Sequence, residues 1–457
     1  MRKIIYILII HLFLGQNTNL YSDYPGNNWL MYKTPEEAGW SSDKLKDAKK
    51  LYKQMNASAV MVIYEGNVLL SYGDVNRRYL VHSIRKSILS ALFGIHVESG
   101  RIDINKTLEE IGFDEKDSLT NLEKQAKIID LLKARSGVYI PAANETESMK
   151  KNRPVRGSHK PGDFWCYNNW DYNTLGSILE KETKKSIFED IKEQLAEPLQ
   201  MEDYRLSDGF YNFEEGGSKY PAYLLKMSAR DMARFGLLYL RNGKWKDREI
   251  IKESWIKESI HPYSEINGST NFSGYGLLWW ISKPFHEYGA YCASGLGGQF
   301  IYILPKADMV FVFRADTYRG KFVSDSHRMK FMELVIKSKT GRIKQKPKLI
   351  QLAVSKQPSS KQKLKHEEMK KFIGKYHFKF GKDSAIADIK IHDGMLMLKN
   401  NTIGNSFLLA QTQNRFIMDD VGWWLEFSGK KGSKPDSIII SFLNGKSTNK
   451  IIGKPVK

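Results

Sequence analysis

Apolar positions follow two rhythms in the first three quarters of the chain. A three-to-four residue rhythm predicts helices. Residues 42–55 are amphipathic, and Ile84, Ile88, Leu92 and Ile95 form one stripe of a helix running from Ser83 to Gly100. A third helix begins at Ser228, where Ser-Ala-Arg-Asp is a capping-box variant, carries Met232, Phe235, Leu238 and Leu240, and stops at Asn242 and Gly243. Short apolar runs bounded by turn residues predict strands. Residues 57–64 and 68–72 flank a turn at 65–67, and 297–305 and 309–313 read as two adjacent strands. Strands at both ends with helices between them predict an α/β (α+β) domain whose first and last strands pair in a sheet covered by helical layers.

The rhythm breaks at about residue 342. Residues 342–365 are rich in Lys, Gln, Ser and Pro, which is linker chemistry. Beyond them, seven short strand-like runs at 372–376, 387–391, 395–398, 407–409, 415–418, 423–427 and 437–442 predict a small antiparallel β sandwich or barrel over 366–457. At the other end, Arg2 and Lys3 precede an apolar run at 4–14 and then polar residues, the pattern of a secretory signal over 1–22. A first domain over 23–341, between signal and linker, and an exported, periplasmic or secreted location are the expectations. No later stretch is long and apolar enough to cross a membrane as a helix.

Composition adds less. The 457 residues are 41% hydrophobic and 27% charged, which is ordinary globular protein. A formal charge of +20 is spread along the chain without a basic helix interleaved with aromatics, so anionic envelope polymers are expected as loose partners rather than nucleic acid. Two cysteines, Cys166 and Cys292, exclude a disulfide scaffold and a zinc quartet and permit one bridge.

The candidate chemistry lies at the start of the second helix. Ser83 and Lys86 are three apart and share a helix face. A serine needs a base to become nucleophilic, and a lysine serves only if burial or a neighbouring cation lowers its pKa. The same spacing recurs at Ser41/Lys44, Ser254/Lys257 and Ser428/Lys431, but only Ser83 leads into an apolar stripe. Spacing alone also allows a plain helix start, with Ser83 as cap and Lys86 solvated.

Two further segments, in chain order, change that balance: a Pro-Gly turn at 161–162 leading to Tyr167-Asn168-Asn169, and Ala293-Ser294-Gly295-Leu296 entering a strand. Together with Ser83 and Lys86 they resemble the serine β-lactamase and penicillin-binding-protein superfamily, in its class C-like branch of esterases, peptidases and amidases. Residues 129–138, 227–236 and 275–280 are similar to supporting stretches of the same family, and the resemblance spans roughly 35–340. It implies that Ser83 forms an acyl-enzyme, with Lys86 and Tyr167 sharing proton transfer. Asn169 would bond Lys86 or a substrate amide. The N–H groups of Ser83 and Leu296 would hold the oxyanion, and Ala293, Ser294 and Gly295 would line the substrate. No metal or organic cofactor is implied.

Ala293 stands where the family usually has Lys or His, which points toward neutral esters, amides or peptides rather than penicillins. A literal Lys339-Thr340-Gly341 follows a helix-like run and precedes the linker, where Gly341 reads as a helix C-cap. The expected function is an exported serine hydrolase cleaving an ester or amide. The alternatives are D-alanyl-D-alanine peptidase or β-lactamase activity, or a catalytically silent relative that binds envelope material. The appended β domain is expected to shield or stabilise.

Overall fold

The computed structural model describes residues 24–456 apart from 381–382, 402–403, 431–432 and 445–446, so the expected signal segment lies outside the described residues. A ten-stranded mixed sheet organises the first domain. At its centre Ala57–Tyr64 pairs antiparallel with both Asn67–Gly73 and Met309–Ala315, with Tyr64 opposite Met309 and Val60 opposite Phe313. The first and last of the predicted strands thus meet, as the flanking apolar runs implied. Gln299–Leu304 and Tyr291–Gly295 extend the sheet toward the Ser83 segment.

Alternation along the central strand splits the core in two. Met61 and Ile63 face a cluster under the helices Ile84–Glu98, Asn169–Thr183 and Ala229–Leu240. Val60, Val62 and Tyr64 face a second cluster under Leu45–Gln54 and Asp325–Lys337. All three predicted helices form, and Ser228 caps the third by accepting from Asp231 N–H.

The basic stretch after residue 341 is not bare linker. Leu349–Gln351 pairs antiparallel with Leu30–Tyr32 at the sheet edge. Lys339, Thr340 and Gly341 also differ from expectation. The preceding helix ends at Lys337 with Ser338 as its cap, while the N–H groups of Thr340 and Gly341 both donate to Gly39 O. Lys339 Nζ donates to the Tyr64 hydroxyl at 3.2 Å, under the second cluster and away from Ser83.

The C-terminal region is a closed antiparallel barrel of eight strands in sequential order, from Gly374–Phe380 to Ser447–Pro455. Its last strand carries Ile451 and Ile452 among Lys, Asn and Thr, too weak a pattern to stand out in the sequence. Buried ion pairs join the two domains. Arg78 bridges Asp208 and Asp419 at 2.7 Å each, and Lys226, fully buried, pairs with Asp420. Cys166 and Cys292 are both free.

Candidate active site

The backbone before Ser83 is pinned on two sides. Tyr79–Leu80 pairs with Ala222–Met227, and Val81 N–H donates to Leu225 O at 2.9 Å. His82 then takes a left-handed φ of 50°, an uncommon conformation for a residue with a side chain, and its Nε2 lies 2.9 Å from Thr317 Oγ1. Burial, with Arg314 and Arg85 nearby, pushes the His82 pKa down to about 4.

Ser83 occupies the N-cap position of its helix, but its side chain makes no capping bond. It faces the same pocket as the Tyr167 hydroxyl, whose pKa it lowers. Lys86, one turn on, is only 2% exposed. Its Nζ donates to the Tyr167 hydroxyl at 2.7 Å and to Asn169 Oδ1 at 3.0 Å, and lies 4.0 Å from the ring centroids of Tyr167 and Tyr172. The reading of a capping serine with a solvated lysine is therefore excluded on both counts.

The electrostatics separate the two proton carriers. Burial, reinforced by the adjacent Arg85 guanidinium, holds the Lys86 pKa well below the free-lysine value. Burial pushes the Tyr167 phenol up to about 12, against the opposing effects of the neighbouring Ser83 hydroxyl and Arg85. A neutral amine and a protonated phenol are the forms this environment favours.

Asn169 serves Lys86 rather than a free amide of substrate. Its oxygen accepts from Lys86, and its Nδ2 donates to Asn144 O at 2.6 Å and Ala143 O at 3.2 Å. The supporting stretches brace the same helix. Ser87 Oγ donates to Leu278 O at 2.8 Å, Leu278 N–H donates to Leu132 O, and Ser136 Oγ donates to Asp171 at the start of the Asn169 helix.

Ser83, Tyr167, Asn169, Ser294, Gly295 and Leu296 line one pocket of about 370 Å³. Gly295 is required by close approach: a Cβ there would lie 2.4 Å from Val81 O, so only glycine lets this strand lie against the Ser83 segment. Neither Ser83 N–H nor Leu296 N–H pairs with a carbonyl of the described loops and turns. Ala293 is a correction. It is fully buried in the helical-side core with Tyr291 and does not line the pocket; the strand reaches the pocket only from Ser294 onward.

The sequence reading passed over several walls of the pocket. Arg85, Asn144, Met149 and Trp280 also line it. Arg85 is 4% exposed, donates to Asn173 Oδ1 at 3.1 Å and lies 4.1 Å from the Tyr223 ring centroid. Trp280 ends the stretch 275–280, and its ring centroid is 5.2 Å from that of Tyr167. Among the described residues, Glu202, Asp203 and Asp231 form the one cluster with metal-ligand spacing. Arg230 pairs with Glu202 and Asp203, so the cluster reads as an ion-pair network.

The Beta-lactamase family profile matches residues 48–328. The chain belongs to the Beta-lactamase family. Members of the Beta-lactamase family are generally serine hydrolases. Among curated relatives, the 6-aminohexanoate-dimer hydrolase of Paenarthrobacter ureafaciens is 21% identical over 301 residues, covering 59% of this chain and 75% of that protein. Protein flp of Staphylococcus aureus (strain MW2) is 25% identical over 253 residues, half of each chain. A solved structure from Bacillus anthracis, provisionally named a 6-aminohexanoate-dimer hydrolase, aligns with a TM-score of 0.50 at 22% identity. It covers 63% of this chain and 80% of its own. A provisionally named β-lactamase from Bacteroides dorei also gives 0.50, at 18% identity over 65% and 98% of the two chains. These two likenesses support the fold.

Proposed function

We propose that the protein is an exported hydrolase that cleaves an ester or amide through an acyl-enzyme on Ser83. The observation that carries this reading is the convergence of Ser83 and Tyr167 in one pocket, with the Tyr167 hydroxyl hydrogen-bonded to a buried, charge-disfavoured Lys86. As Ser83 Oγ bonds to the substrate carbonyl carbon, its proton passes through the Tyr167 hydroxyl to the Lys86 amine, the net acceptor. The carbonyl oxygen gains charge against the N–H groups of Ser83 and Leu296. The carbon–oxygen or carbon–nitrogen bond then breaks, and the same relay returns the proton to the leaving group. Water attacks the acyl-enzyme by the reverse route and frees Ser83.

Arg85 acts through Lys86, favouring its neutral form, and is a positioning residue. The amide-cleaving name of the Paenarthrobacter relative supports an amide or ester bond as the target. Export rests on the apolar run at 4–14, and loose association with anionic envelope polymers rests on the +20 charge. Treatment with a fluorophosphonate probe tests the core of this reading. Labelling and turnover of short p-nitrophenyl esters are expected in the wild type and absent in Ser83→Ala. Labelling that persists in Ser83→Ala would sink the nucleophile assignment.

A further inference from the structure

A second cavity adjoins the catalytic pocket. It has a volume of about 660 Å³ and is lined largely by the barrel interior: Phe378, Ala387, Leu398, Trp423, Ile440 and Phe442. No Asp, Glu, Lys or Arg lines it among the described residues. An eight-stranded barrel is wide enough to be filled by side chains or to hold one small ligand. Here both occur. Phe372, Phe416 and Phe427 pack against one another in one part of the lumen, while the part facing the hydrolase domain is open.

The two cavities share lining residues. His82, next to Ser83, and Leu296 border both. His82 is kept neutral by burial and is tied to Thr317, which also lines the barrel cavity. The junction is held by the buried Lys226–Asp420 and Arg78–Asp419 pairs and by Tyr318, whose hydroxyl accepts from Leu80 N–H at 3.2 Å.

We propose that the barrel lumen receives the acyl part of the substrate, and that this part is an extended, uncharged apolar chain. The inference rests on Ser83 being the acyl-accepting nucleophile. Its direction follows from proton delivery. The leaving group must face Tyr167, on the side of the pocket walled by Asn144 and Met149. The other substituent of the carbonyl then points toward Leu296 and His82, where the apolar cavity begins. A chain buried there gains binding with each methylene removed from water.

The test is a series of p-nitrophenyl esters from acetate to decanoate, with the wild type, Ala385→Trp at the barrel cavity wall, and Ile452→Trp, which projects outward beside Ile451. The ratio of decanoate to acetate kcat/KM is expected to be about ten or more in the wild type, to fall about tenfold in Ala385→Trp and to hold in Ile452→Trp. In parallel, 11-(dansylamino)undecanoic acid is titrated into Ser83→Ala, with and without Ala385→Trp, and each protein's fold is checked by circular dichroism. Saturable fluorescence enhancement that Ala385→Trp removes is expected. Turnover of acetate and decanoate at equal kcat/KM, or a probe that does not bind, overturns the lumen assignment and leaves the hydrolase reading standing. No ester turnover together with probe binding lost in Ala385→Trp overturns the hydrolase reading and keeps the lumen as an apolar-chain site.

Discussion

Beside Ser83, two basic residues in succession, Arg85 and Lys86, are almost completely buried without a carboxylate on either. A few residues away across the domain junction, no Asp, Glu, Lys or Arg lines the barrel cavity among the described residues. Between the two, Lys226 and Arg78 are just as deeply buried, yet each faces an aspartate. Burial alone is thus common to all three places, and the partner decides its consequence. Where a carboxylate answers the charge, the pair fastens two domains. Where only neutral oxygens and aromatic rings answer it, the amine is pushed toward its neutral form and becomes a usable base. Where no charge is present, the space can take up apolar substrate.

The largest effect that could break this contrast is at Lys86. Lys86→Met should lower kcat by about 10³-fold or more, because the proton acceptor is gone. The melting temperature should hold or rise, since a buried amine without a countercharge is replaced by an apolar chain of similar length. A matching collapse of stability would show that the lysine is structural. Gly295→Ala comes next. Its new Cβ would press on Val81 O, displacing the Leu296 amide from the oxyanion position, and kcat should fall about 10²-fold with a smaller change in thermal stability.

Lys226→Met probes the paired charge. It strands Asp420 in the interior, so urea denaturation should show a loss of about 3 kcal/mol, in contrast to Lys86→Met. The finest test is the pH profile. The acidic limb of kcat/KM should reflect Lys86 losing its proton and lie well below the titration of a free lysine. Removing the Arg85 charge in Arg85→Met favours the ammonium form, so the limb should move to higher pH. A shift to lower pH would contradict the assigned role of Arg85.

Much of this organisation is legible in the residue pattern. The hairpin at 57–72, the Ser83 and Ser228 helices and most barrel strands follow from local periodicity and caps, which operate over a few residues. The edge strand Leu349–Gln351 was not legible, because its pairing to Leu30–Tyr32 comes from a segment more than 300 residues away in sequence. Ser83, Lys86, Tyr167 and Asn169 could be proposed from three short motifs, and the structure brings them together. Ala293 could not be placed correctly from its motif, because whether a residue on a strand faces the pocket or the core depends on register. Arg85 and Trp280 carried no signal of their own: a basic or aromatic residue becomes a pocket wall only when distant segments close around it.

By itself, then, the amino-acid order determined which segments become helix, hairpin and barrel, and which serine has a lysine one turn away. Only the tertiary structure decided that this lysine is dry, that an arginine stands beside it without a carboxylate, and that the barrel cavity shares walls with the pocket of the same serine. The reason is physical: periodicity and capping act between near neighbours along the chain, whereas desolvation and the joining of cavities depend on surfaces that meet only after folding.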